Sequence, residues 1–211
     1  SPSTGAYMQA YEALLTDGYD HVVSIHQSGR LSGAMDIAIT AAQSFNSRVH
    51  HVDSGQLSMG IGFQVLAAAK AARQGANLED ILAVIASVRS RIRVLAMLNT
   101  LEYVRRSGRV SWAQASIGEV LQFKPFISLH DGTPRRQGEA RTRQKGIRRL
   151  YKFLSDLGPL ESLAILHTTP ETDAIEMAAR FSSQTQLPPV IVQVTPIIGT
   201  HVGPDGLGFA A

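Results

Sequence analysis

Ser28 is the first residue whose type and position could do chemistry. It lies in Ser24-Ile25-His26-Gln27-Ser28-Gly29-Arg30-Leu31-Ser32-Gly33, where a β-branched run should end and a helix begin. A hydroxyl beside the free amides of a helix start cradles an anion, and the helix dipole favours a carboxylate there. The same residues also read as plain caps, with Ser28 and Ser32 closing the first turn. Near the other end, Pro196-Ile197-Ile198-Gly199-Thr200-His201-Val202-Gly203-Pro204 reads as a glycine-flanked loop centred on a histidine. Glycines let a ligand approach the backbone closely. His201 is then either a donor to a carboxylate or phosphate or an ordinary surface histidine.

Arginines supply the other groups that seek anions. Arg105, Arg106 and Arg109 form one small cluster, while Arg135, Arg136, Arg141, Arg143, Lys145, Arg148 and Arg149 face a single acid, Glu139. Guanidinium forks bind carboxylate or phosphate with fixed geometry, so both clusters fit an anion or an acidic partner; a solvated helix face is the alternative. No nucleophile is paired with a base. The chain has no Gly-x-Ser-x-Gly, no Gly-x-x-x-x-Gly-Lys and no Gly-x-Gly-x-x-Gly. His50 and His51 alternate on a strand without a third spaced ligand, which argues against a metal, and His26 is expected in the core.

The 211 residues, 44% hydrophobic and 18% charged, suffice for one large domain or two small ones, and the net charge is +3. No apolar run approaches the ~18 residues of a membrane span, the longest being broken by Lys70, Arg73, Arg89 and Arg91. Zero cysteines exclude disulfides, a thiolate nucleophile and cysteine zinc sites, and lean toward the cytosol. The expectation is a soluble, cytoplasmic protein without membrane insertion.

These candidates must be positioned by two kinds of architecture. Strands at His21 to Ile25 and Arg48 to Val52 alternate with helices at Ala6 to Thr16, Ser32 to Ser44 and Met59 to Gln74, which reads as a parallel βαβα unit. Ligands then favour the carboxyl ends of the strands, where Ser28 and Ser54 lie. Asn77 should cap a helix through Arg89, with Asp80 completing an acidic capping box. Beyond it come six strand-like segments: Ile92 to Leu98, Lys124 to His130, Pro134 to Ala140, Ser162 to His167, Val190 to Thr195 and Gly206 to Ala210. Helices are expected at Leu101 to Arg106, Ser116 to Leu121, Thr142 to Leu157 and Thr172 to Gln184. Asp131-Gly132 marks a tight hairpin, so this second sheet is mixed. The domains are placed at 1–90 and 91–211.

Taken in order, the motifs resemble the DegV family. The matching segments are Ser24 to Gly33, Val52-Asp53-Ser54 with Met59-Gly60, Thr100-Leu101-Glu102-Tyr103, Ser107 to Ser111, Lys124-Pro125, Asp131-Gly132, Arg141-Thr142, and Gly199 to Pro204 with Gly206-Leu207-Gly208. The resemblance implies a two-domain α/β fold, a Rossmann-like parallel sheet plus a six-stranded mixed sheet. It also implies a fatty-acid-binding protein that holds the acyl chain between its domains and presents the acid to a separate fatty-acid kinase. Such a binder is no catalyst and needs no cofactor besides its lipid.

By position, Ser28 would bind the carboxylate and His201 with Thr200 the head group, Leu57 and Val94 would line the acyl path, and Arg109 and Arg141 would serve phosphoryl transfer or kinase docking. Two departures stand out. Gly29-Arg30 replaces the family's second serine and glycine. Ser1-Pro2-Ser3 looks like the end of a motif whose carboxylate-binding threonine is absent, as if the first quarter of a family member were missing. The rival readings are a nucleic-acid binder at Arg135 to Arg149, poor in stacking aromatics, and an autonomous lipid or dihydroxyacetone-type kinase, which lacks a nucleotide motif.

Overall fold

The computed structural model describes residues 1–115, 123–168 and 170–211. They divide into two compact units, Ser1–Ile92 with Asp131–Thr133, and Arg93–His130 with Pro134–Ala211.

The first unit alternates helices and strands: α1 (Thr4–Thr16), β1 (Val22–His26), α2 (Ala34–Ala42), β2 (Val49–Asp53), α3 (Met59–Arg73) and α4 (Leu78–Arg91). β1 and β2 run parallel, with Val22 opposite Val49 and His26 opposite Asp53. Because side chains alternate along a strand, Val22 and Val49 share a face, and they pack with Tyr11 of α1 and Ala38 and Ala41 of α2. Local chemistry fixes the helix ends. Ser3 Oγ accepts from the Ala6 amide and Asn77 Oδ1 from the Asp80 amide, each relieving an orphan donor of a first turn. Gly75, at φ +83°, takes the left-handed turn that ends α3.

The second unit contains β3 (Val94–Met97), α5 (Glu102–Ser107), α6 (Ser111–Ala115), β4 (Lys124–His130), β5 (Thr133–Ala140), α7 (Arg143–Ser155), β6 (Ala164–His167), α8 (Thr172–Phe181), β7 (Val190–Gln193), α9 (Pro196–Val202) and β8 (Leu207–Ala210). The sheet order is β5-β4-β3-β8-β6-β7. β3 is antiparallel to β4 and β8, β6 is antiparallel to β8, and β6 and β7 are parallel. The two-residue turn at Asp131 (φ 48°) and Gly132 (φ 74°) joins β4 to β5 with the paired positive angles that a hairpin's twist demands.

The two faces of this sheet differ in bulk. Leu95, Met97, Phe126, Ile165, Leu207 and Phe209 share a buried cluster with Leu150 and Leu154 of α7 and Met177 and Phe181 of α8. The register puts the alternate residues Val94, Ala96, Ile127, Ala164, Leu166, Gly208 and Ala210 on the opposite face. Between Ile127 and Leu166 that face carries a patch of small side chains, Val94, Ala96, Ala164, Gly208 and Ala210, and a β-carbon on Gly208 would meet the Leu95 carbonyl and Ala96.

The expected parallel unit and six-stranded mixed sheet are both present, with element ends shifted by one to a few residues. Pro196 to Val202 is a helix, not a loop: Thr195 takes the extended N-cap conformation and Pro196 occupies the first turn, where its missing N–H costs nothing. The short α6 at Ser111–Ala115 was not expected, and the helix expected at Ser116 to Leu121 lies outside the described residues.

Candidate functional site

In the first unit, the turns at the carboxyl ends of β1 and β2 are tied together. Asp53 does this with both carboxylate oxygens: Oδ1 accepts from the Gly55 amide at 2.7 Å and Oδ2 from the Gly29 amide at 3.1 Å. The Ser28 amide donates to the Gln56 carbonyl and the Ser54 amide to the His26 carbonyl. Arg89 of α4 donates to the Asp53 carbonyl, and the Gln64 carboxamide donates to the Ser54 and Gly60 carbonyls. Motif segments 24–33 and 52–60 are therefore halves of one hydrogen-bonded platform.

The free-amide cradle expected at Ser28 to Ser32 is not found. The Arg30 amide donates to Ser28 Oγ, those of Leu31 and Ser32 to the Ser28 carbonyl, and those of Ser28 and Gly29 outward as above. Ser28 and Ser32 act as turn-closing hydroxyls, Ser32 Oγ accepting from the Ala34 amide. Ser28 itself is buried, 1% exposed, and its Oγ donates to the Gly132 carbonyl at 2.9 Å. Leu57, half-buried, follows directly on this platform. Ser58 after it adopts φ 50°, ψ −133°, a conformation a non-glycine residue takes only under constraint.

A polar chain crosses the buried face of this unit. Tyr11 OH lies 2.9 Å from Ser24 Oγ, which lies 2.8 Å from His26 Nε2. The His26 and His51 rings stack at 5.7 Å, and neither ring nitrogen of His51 has a partner. Burial lowers the pKa of His26, with the neighbouring His51 adding to the shift and Asp53 opposing it; burial and His50 likewise lower that of His51. Among the described residues no group of three or more His, Asp or Glu side chains is placed to hold a metal ion.

In the second unit the glycine-rich tail and the 100–103 motif meet. Gly203, at φ 76°, lies where a β-carbon would enter the Tyr103 ring, so α9 can end against α5 only with glycine there. His201 is half-buried and its Nδ1 is shielded without a partner. Thr200 is exposed, and its hydroxyl donates to the Ile197 carbonyl one turn back. Val94 is 6% exposed and sits in the small-residue patch of the sheet. Lys124 Nζ donates to both oxygens of Asn99, whose Nδ2 donates to Asp205, and so fixes the loop before β8. A cavity of about 470 Å³ opens at the carboxyl ends of β6 and β7, lined by Thr168, Gln193, Thr195, Pro196, Gly199 and Gly203 among others.

The basic segment separates into committed and free cations. Arg143 pairs with Asp173 and donates to the Asp205 carbonyl, Arg136 pairs with Glu139, and Arg149 caps the Gln137 and Glu139 carbonyls beneath the rings of Phe126 and Phe153. The side chains of Arg141, Lys145 and Arg148 are exposed and make no hydrogen bond or ion pair among the described residues; Arg141 precedes the Thr142 cap of α7, and Lys145 and Arg148, three positions apart, share one side of the helix. Arg109 is exposed and donates to the Ser107 carbonyl.

A family profile described as an uncharacterised protein of the DegV family matches residues 1–211. The chain belongs to the DegV family. A DegV domain-containing protein of Streptomyces coelicolor is 31% identical over 213 residues, covering 98% of this chain and 75% of the relative. The fold matches a DegV-family protein of Thermus thermophilus described by its fatty acid binding, at TM-score 0.91 and 30% identity over 100% of this chain and 76% of that one. It also matches DegV of Bacillus subtilis, described as a fatty acid binding protein, at TM-score 0.86 and 29% identity, with the same coverage. Within the DegV fold, Ser28 and Leu57 fall in the first unit and Val94, Arg109, Arg141, Thr200 and His201 in the second. The sequence reading missed Gly132 as the partner of Ser28 and Thr133 as the partner of Arg30. A separation of about a hundred positions leaves no local pattern to find.

Proposed function

We propose that this chain is a cytoplasmic fatty-acid-binding protein that presents its ligand to a fatty-acid kinase and is not itself a catalyst. The observation that carries the reading is the match along the whole chain to the Thermus thermophilus protein described by its fatty acid binding. The patch of small residues Val94, Ala96, Ala164, Gly208 and Ala210, flanked by Ile127 and Leu166, supports it, because an aliphatic guest needs room beside apolar atoms. An acyl chain gains about 0.8 kcal/mol per buried methylene, so a sixteen-carbon acid could gain roughly 11 kcal/mol before the costs of association. The carboxylate then needs donors, since an ionised group stripped of water costs several kcal/mol.

In this reading Ser28 and His201 supply those donors, Thr200 completes the head-group contact, and Leu57 and Val94 line the acyl path. His201 Nδ1, shielded and unpartnered, is suited to the task. Arg109 and Arg141 serve the kinase or the transferred phosphoryl group. The commitment of Arg136, Arg143 and Arg149 to internal partners weighs against a nucleic-acid surface. Titration of the lipid-stripped protein with palmitate tests the reading. Saturation at one equivalent is expected, and absence of binding at micromolar palmitate would overturn it.

A further inference from the structure

The Ser28 hydroxyl has one proton, and that proton is already in use. Ser28 Oγ donates to the Gly132 carbonyl at 2.9 Å while accepting from the Arg30 amide at 3.2 Å. Ser28 is 1% exposed, so water does not compete for the bond. Gly132 can approach this closely only because it lacks a side chain: a β-carbon there would overlap Ser28 Oγ and Cβ. Its φ of 74° independently disfavours any other residue. A second bond holds the same turn. Arg30 Nη1 donates to Thr133 Oγ1 at 3.0 Å, and Asp131–Thr133 group with the first unit. Arg30 stands where the resemblance leads one to expect glycine, so this clasp belongs to this chain's own sequence.

We propose that the Asp131–Gly132 turn is a latch on the head-group site, with Thr133 and Arg30 as positioning residues that set how readily it lifts. The inference rests on the fatty-acid-binding reading and on Ser28 as a carboxylate donor. Carboxylate capture at Ser28 must exchange the bond to Gly132 for one to the ligand, and the released carbonyl must move to find another donor, because a buried unpaired carbonyl is costly. The energy that holds the latch shut is subtracted from the affinity for the acid. Weakening the clasp therefore tightens binding, the opposite of what loss of a merely structural bond would do. The sole tryptophan is placed to report the movement: Trp112 Nε1 donates to the Pro134 carbonyl at 3.1 Å, next along the chain from Thr133.

The test uses the lipid-stripped full chain, palmitate as the probe, and Trp112 emission together with calorimetry. Thr133→Val keeps the shape of the side chain and removes the acceptor for Arg30. A palmitate Kd about two- to tenfold lower than wild type, with unchanged secondary structure, is expected from the loss of one exposed hydrogen bond. Palmitate should also shift the Trp112 emission of the wild type. Ser28→Ala separates the two ideas: it removes the latch bond to Gly132 together with the ligand's donor, and because a bond to a carboxylate is stronger than one to a carbonyl, net weaker palmitate binding is expected. If Ser28→Ala weakens palmitate binding while Thr133→Val leaves it unchanged or weaker, the latch is refuted and the head-group assignment survives. If Ser28→Ala has no effect on Kd, the assignment of Ser28 fails and the latch falls with it.

Discussion

Replacing Val94 by phenylalanine should change which acyl chains the protein accepts. Val94 is 6% exposed, sits opposite Ala210 across the β3–β8 pair, and shares its face with Ala96, Gly208 and Ala164. Those neighbours are already too small to shrink further, so the added ring occupies space on that face. Phenylalanine adds the bulk of about four carbons, and four excluded methylenes remove about 3 kcal/mol, roughly 200-fold in affinity for a sixteen-carbon acid. A twelve-carbon acid, shorter by those carbons, keeps most of its binding. Overpacking costs the fold about 1–3 kcal/mol, so thermal unfolding of the variant is measured alongside. The assay is competition between dodecanoate and hexadecanoate, read by native mass spectrometry of the complexes. A folded variant that keeps the wild-type preference for chain length would refute the placement of the acyl chain on this face.

Ser28→Ala combined with His201→Ala should weaken palmitate binding at least tenfold while leaving the circular dichroism spectrum intact, because each removes a hydrogen bond to an ionised partner; equal affinities would place the head group elsewhere. Acid should destabilise the first unit. His26 and His51 are held below the ordinary histidine pKa by burial, in a setting that contains Tyr7 and Tyr11 from α1, Ser24 from β1, and His50 and Asp53 from β2. The unfolded chain binds protons near pH 6.5 and the folded one only below that, so stability is full above 6.5 and is lost as the pH falls beneath it. The melting temperature at pH 5.5 should be lower than at pH 7.5. His51→Phe should narrow the gap, since neither ring nitrogen has a partner to lose. A gap unchanged by that substitution would assign the acid sensitivity to other groups.

What could be read from the sequence was what local chemistry determines. Asn77 and Asp80 announced a capped helix, Asp131-Gly132 a hairpin, and alternating apolar residues the strands, and each of these appears in the structure. The tail at Pro196 to Val202 misled because two glycines outweighed a proline well placed to start a helix. The free-amide cradle failed for a different reason. Two of its amides are consumed by Asp53 and Gln56, partners that only the pairing of β1 with β2 brings into reach, and those of Arg30, Leu31 and Ser32 by Ser28 itself in a local turn. The contrast between the bulky and small faces of the mixed sheet likewise depends on register, which alternation within one strand does not supply. Ser28 was legible as a candidate from its place at a strand end; its bond to Gly132 was not, since a turn more than a hundred residues away provides the acceptor.

Native mass spectrometry of the chain purified without added lipid, followed by stripping and back-titration with palmitate, bears most directly on the central claim. Lipid binding predicts a mass increment of one long-chain fatty acid per chain that is lost on stripping and restored at one equivalent. A bare chain that stays bare in excess palmitate would contradict it.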